Sequence, residues 1–165
     1  MVIVKWIFTV LGLLLIAGLL FVTFGLYRLS RKQPNTEEMV LGVKEGMLRP
    51  CPRTPNCVST QADPADAEHY VEPIPLFESK ETVLDRLADY IEDLPRAQVV
   101  EREDGYLHAV FASRLFGFMD DVELYVPEGE GVVHFRSASR VGVGDMGVNR
   151  GRYQMLRQVL EENTP

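Results

Sequence analysis

Residues 6–27 carry no charged side chain, and this uncharged run of 22 residues constrains the chain more than any other feature. At roughly 1.5 Å per residue, a helix of that length covers about 33 Å, enough for a hydrocarbon core of about 30 Å. Residues 1–32, the run with its basic flank, are therefore read as a transmembrane anchor whose partner is the lipid bilayer. A cleaved secretory signal is the competing reading. Signal cores usually run about 7–15 residues and end at a small-residue cleavage site. Here Tyr27 is followed by Arg28-Leu29-Ser30-Arg31-Lys32, so a retained anchor is the expectation.

Orientation is contested by the flanking charges. Lys5 and the amino terminus lie on one side, and Arg28, Arg31 and Lys32 on the other. The cytoplasmic bias of Lys and Arg, read literally, puts the large domain inside the cell. Residues 33–165 hold 13 basic residues against 24 acids, a net charge of −11. A surface so acidic is not expected to bind nucleic acid, or anionic lipid over its whole area, because that binding needs clustered cations. Residues 33–47, Gln-Pro-Asn-Thr-Glu-Glu followed by Gly42 and Gly46, read as a polar tether. Residues 48–165 then form one domain, long enough for its own core.

The domain opens with Pro50, Pro52, Pro55 and Asn56 around the only two cysteines, Cys51 and Cys57. Prolines force turns and exclude helix, so the two thiols can meet. A disulfide there closes a seven-residue loop, worth about 2 kcal/mol on the chain-entropy estimate, and needs an oxidising compartment. The alternatives are a metal half-site, a reactive thiol and two inert thiols. With no second cysteine pair and without Cys-x2-Cys spacing, structural zinc is not expected. Reduced cytosolic thiols agree with the literal charge count, whereas a disulfide does not.

Hydrophobic periodicity outlines the domain. A short strand is expected over residues 69–74. Ser79 then caps a helix carrying Leu84, Leu87, Ile91 and Leu94 at spacings of three, four and three, with Glu81 in its first turn and Pro95 as its stop. Four strand-like segments follow, at 97–102, 106–113, 119–126 and 132–140, separated by Asp104-Gly105, Phe116-Gly117 and residues 128–131. Alternation puts Leu107, Ala109, Phe111, Val122, Leu124, Val133 and Phe135 on one face. The other collects Tyr106, His108, Asp121, Glu123, Tyr125, His134, Arg136 and Arg140. A closing helix over about residues 147–161 presents Val148, Met155, Leu156, Val159 and Leu160. The expected fold is α+β: a mainly antiparallel sheet of about five strands with two packing helices, behind one N-terminal transmembrane helix.

Unusual chemistry is densest over residues 136–152. From Arg136 to Arg157 the chain has five arginines and one acid, and glycines at 142, 144 and 147 lead into a helix start. Free N–H groups and the helix dipole favour an anion there. The plainer reading is a structural ion-pair network: Arg136, Arg140, Arg150 and Arg152 meet Asp120, Asp121 and Glu123, while Asp145 or Asn149 caps the helix. Because glycine-rich helix starts without a P-loop pattern are common, the structural reading is preferred. An enzyme reading would use His108 and His134 with Asp121 or Glu123, as metal ligands or as acid and base. Strand histidines on a polar face are more often solvated, and three histidines spell no familiar catalytic arrangement, so no catalytic residue, metal or cofactor is expected.

Three stretches carry a resemblance: Cys-Pro-Arg-Thr-Pro-Asn-Cys-Val-Ser at 51–59, Leu-Phe-Gly-Phe-Met-Asp-Asp-Val-Glu at 115–123, and Arg-Ser-Ala-Ser-Arg-Val-Gly-Val-Gly-Asp-Met-Gly-Val-Asn-Arg-Gly-Arg at 136–152. In this order they resemble the family known as domain of unknown function 1499, over about residues 45–162. The resemblance implies a domain often found behind a signal or anchor, and it moves the expected placement to the extracytoplasmic side, with the cytoplasmic side as the alternative. It implies no catalytic residues. The chain lacks the lipobox cysteine of lipoprotein-like relatives, so attachment depends on the helix.

The functional expectation is a membrane-tethered binding or accessory-subunit module of the envelope, taking an anionic small molecule, an envelope component or an integral membrane complex as partner. Gly12, Ala17, Gly18 and Gly25 are small residues that permit helix association, although Gly18 and Gly25 do not have four-residue spacing. Labelling intact cells with a membrane-impermeant thiol reagent tests the topology. Cys51 and Cys57 are expected to react only after reduction; reaction that requires lysis but no reductant reverses the assignment.

Overall fold

The computed structural model describes residues 2–34 and 40–162, so residues 35–39 of the expected tether lie outside the described residues. Helix α1, Val2–Ser30, contains the uncharged run. Its stretch Val4–Ser30 is long and apolar enough to cross a membrane, a test that a signal sequence also passes, and none of the spanning window is buried against the rest of the chain.

Strands β1 (Cys57–Ser59) and β2 (Ile74–Pro75) precede helix α2 (Lys80–Glu92). Strands β3 (Ala97–Glu103), β4 (Tyr106–Ala112), β5 (Met119–Tyr125) and β6 (Val132–Ser139) follow, and helix α3 (Val148–Glu161) closes the chain. The four long strands form an antiparallel meander, since each is joined to the next by a short turn. β6 is then flanked on its second edge by two short strands, β1 against residues 136–138 and β2 against Val132 and Val133. The sheet is thus six-stranded, in the order β1-β6-β5-β4-β3 with β2 beside β6. It is an α+β fold behind a long apolar helix.

One expectation needs correction, and one strand left no mark in the sequence. β1 lies in the cysteine loop, where three residues among prolines give no alternation to read. The strand expected over 69–74 shrinks to Ile74–Pro75 and a single parallel bridge from Tyr70 to Ser59. In between, His69 is held by its ring, which bonds Asp66 at 2.8 Å and the Thr54 carbonyl at 3.2 Å. Burial holds the His69 ring's affinity for a proton down, but the Asp66 carboxylate outweighs it and raises its pKa.

Sequence alternation becomes a core. Leu107, Ala109, Val122, Leu124, Val133 and Phe135 are fully buried and meet Val83, Leu84, Leu87 and Ile91 of α2 and Tyr153, Leu156 and Leu160 of α3. Burying an aliphatic or phenyl side chain contributes about 1.5–3 kcal/mol relative to exposure, so this face supplies most of the cohesion. Ser79 accepts the Thr82 N–H and starts α2. The turn between β3 and β4 requires glycine: Gly105 has φ +75°, and a Cβ there would stand 3.0 Å from the Val126 carbonyl oxygen. β3 is the free edge of the sheet, broken by an irregularity between Val99 and Glu101, with exposed Glu101, Arg102 and Glu103 along it.

Candidate functional site: a covered polar face

The face opposite the helices carries the charge. Strand register sets His108, Glu123 and Arg136 abreast on β4, β5 and β6, and sets Asp121 abreast of Val110 and Ala138. Glu123 is fully buried, with Arg136 Nη1 donating to it at 2.9 Å, the Tyr106 hydroxyl at 3.0 Å and the Gly42 backbone N–H at 2.9 Å. Asp121, 1 % exposed, accepts Arg140 through Nε at 3.0 Å and Nη2 at 2.8 Å, and lies 2.8 Å from His108 Nε2. Arg140 also donates to the Pro34 carbonyl at 2.9 Å.

This face was expected to be wet, and it is not. His108 is 2 % exposed and His134 9 %. The cover comes from the chain ahead of β1. Lys44 and Met47 exchange two backbone hydrogen bonds, the Leu48 N–H is held by Gln61 at 2.8 Å, and residues 49–52 form one wall of a cleft whose other wall is Asp121, Arg136, Ala138, Ser139 and Arg140. A disulfide between Cys51 and Cys57, with Cα atoms 5.6 Å apart, ties that wall to β1. The cleft has a volume of about 350 Å³.

Electrostatics follow from this burial. Desolvation disfavours the Asp121 carboxylate, but hydrogen bonds from His108 and Arg140 outweigh it and hold its pKa below the ordinary 3.8. Burial lowers the pKa of the Arg136 guanidinium against the pull of Glu123, and Arg49 adds to the lowering. Arg136 Nε is buried without a hydrogen-bond partner among the described residues. Burial first, and Glu123 second, push the Tyr106 hydroxyl far above its usual range, which keeps it a donor.

The remaining candidates sit on the helix side of the sheet. Arg152 donates to Asp120 at 2.9 Å, to Ser137 at 2.9 Å and to Asn149 at 2.8 Å, with its guanidinium 4.4 Å from the Phe111 ring centroid. Asn149, fully buried, also bonds Ser137 and donates to the Asn56 carbonyl at 3.0 Å. Asp145 accepts the N–H groups of Gly147 at 3.0 Å and Asn149 at 2.8 Å, so a carboxylate of the chain itself occupies the start of α3. Arg150 stands apart and holds the carbonyls of Ala67, Glu68 and Tyr70. The eight site residues named from the sequence are thus divided between two faces and one loop.

His108 and His134 lie on β4 and β6 with β5 between them. His134 instead meets Thr60 at 3.0 Å and Glu130 at 3.3 Å and stacks on Tyr125. Among the described residues no group of three His, Cys, Asp or Glu side chains is arranged for a metal ion, and no serine, threonine or cysteine side chain bonds His108. Asn56 was marked only as a turn residue, and Thr60 and Ser137 carried no signal. Asn56 and Thr60 lie outside any periodic segment, and Ser137 is a small residue within an apolar alternation.

An α+β domain behind a long apolar helix, with charge pairs across its central strands and a cysteine-clipped cover, is what the geometry defines. A family profile described as "Protein of unknown function (DUF1499)" matches residues 47–160, and the chain belongs to that family. No curated protein and no solved structure matches it.

Two outcomes test the network. Arg140→Ala leaves Asp121 buried beside one partner fewer, and chemical denaturation is expected to record a loss of about 3 kcal/mol or more. Acid is expected to weaken the fold through Asp121. Its lowered pKa adds stability that is complete above the unfolded value near 3.8 and is lost as pH falls through the folded value. Melting temperature measured against pH should therefore drop below that point, and the drop should be shallower in Asp121→Asn, which starts from a lower stability.

Proposed function

We propose that this protein is a membrane-tethered, non-enzymatic accessory or binding module. In this reading residues 6–27 are retained in the bilayer and the domain is extracytoplasmic. One observation carries it: Asp121, Glu123 and His108, three of the groups that looked catalytic, are engaged in buried pairs. Asp121 and Glu123 each accept from an arginine and one further side chain, and His108 is held by Asp121. Asp121, its pKa lowered against burial by His108 and Arg140, is a poor proton donor at neutral pH, and among the described residues no nucleophile is bonded to His108. Such a face stores charge and fixes shape. The disulfide between Cys51 and Cys57 supports the extracytoplasmic side, since disulfides persist in oxidising compartments.

A second reading is favoured by a specific feature. The cleft between residues 49–52 and β6 is lined by Arg49, Arg136 and Arg140, and Arg136 keeps one donor unpartnered. A small carboxylate or phosphate compound suits those walls. Purification of the full chain in mild detergent separates the readings. A stable membrane-protein partner is the expected outcome for an accessory subunit. A retained anionic small molecule, lost on Arg49→Glu, would select the cleft instead.

A further inference from the structure

The geometry points to a second membrane contact: the loops at one end of the sheet are seated in the headgroup layer of the bilayer that α1 crosses. This rests on α1 being a retained span, and it holds on whichever side of the membrane the domain lies.

The path from helix to sheet is short and bonded. α1 ends at Ser30, Arg31 and Lys32 form one more turn, and Gln33 Nε2 donates both to the Ser30 carbonyl at 2.7 Å and to the Gly117 carbonyl at 2.8 Å. The Met119 N–H returns a hydrogen bond to Gln33 Oε1, and Arg140 holds the Pro34 carbonyl at 2.9 Å. The end of the sheet where β4 passes to β5, and where β6 finishes, is therefore fixed within four residues of the last helical turn. A helix whose apolar length matches the hydrocarbon core brings that end to the level of the lipid headgroups.

The side chains found there are of the kind that layer accepts. Leu115 is 85 % exposed at the tip of the β4–β5 loop, flanked by Phe116 and Phe118, whose ring centroids are 5.9 Å apart. Val143, in the loop after β6, is 76 % exposed. Leucine and valine exposed to water on these loops cost free energy that an acyl boundary returns, and Phe116 and Phe118 behind Leu115 are half-buried. Charge agrees with lipid as the occupant. Residues 112–119 contain Arg114 and no acid, and Arg28, Arg31 and Lys32 stand at the same level. Residues 33–165 carry −11 overall, so an anionic surface attracts this end and repels the remainder.

Fluorescence quenching in the full chain tests the contact. Trp6 is the only tryptophan, so a Trp6→Phe background accepts single reporters. Leu115→Trp and Val143→Trp report the rim. Phe77→Trp is the control: Phe77 is 64 % exposed and follows β2, which pairs with the start of β6. That places it the length of an eight-residue strand away, about 23 Å. Each protein is reconstituted into vesicles of phosphatidylcholine and phosphatidylglycerol, with and without bromine on the acyl chains. Leu115→Trp and Val143→Trp are expected to lose fluorescence in brominated vesicles, while Phe77→Trp keeps its intensity. If both rim reporters are quenched no more than Phe77→Trp, with Trp6 of the unmodified chain quenched, the rim contact is wrong and the anchor stands. An unquenched Trp6 removes the anchor and the rim contact together.

Discussion

Two carboxylates buried in the middle strand of a sheet are the constraint on which the rest of this domain depends. Moving an unpaired carboxylate out of water costs several kcal/mol, so Asp121 and Glu123 on β5 require cations at fixed positions on a neighbouring strand. β6 supplies Arg136, and Arg140 follows directly after its last residue, both reaching the face that holds the two acids. A one-residue slip between β5 and β6 would send the acids and the arginines to opposite faces, and would put either Val122 or Phe135 out of the core as well. Apolar and polar faces therefore specify the same register.

The same pairs decide how the chain ahead of β1 is used. Glu123 takes the Gly42 N–H and Arg140 takes the Pro34 carbonyl, so segments far apart in sequence end on the charged face. The disulfide then pins the nearer wall at Cys57, in a strand of three residues that would otherwise have little to hold it. What reads as a hydrophilic lead-in thereby covers the strands, and the charges beneath it are paired with their neighbours rather than left to solvent.

Much of this was legible in the residues themselves. Helix α2, the four-strand meander and the division of Leu107, Val122 and Phe135 from His108, Asp121 and Arg136 follow from periods of 3.6 and 2. That the second face is dry was not legible, because alternation reports which side a residue takes and not what lies above it. Asn56 and Gln33 act through distant backbone groups, the Ser139 N–H meeting the Asn56 carbonyl and the Met119 N–H meeting Gln33, and such bonds leave no periodic trace. Asp145 was readable as a candidate for the start of α3, but the N-cap position itself falls to Gly147, and Asp145 reaches the Asn149 N–H from two residues earlier. Asp120, by contrast, shows its partner only once α3 is seen to lie across the sheet and bring Arg152 over it.

If the sheet is tethered as proposed, it meets its neighbours in two dimensions, where confinement raises the rate at which like faces collide. β3 would be the place for such copies to zip together, since its outer backbone groups are unpaired by the sheet. Its irregularity beside Val99 interrupts the ladder, and Glu101, Arg102 and Glu103 add charge and desolvation cost to any strand that approaches. Such an edge opposes strand addition from a neighbouring copy, because any approaching backbone would have to desolvate those charges.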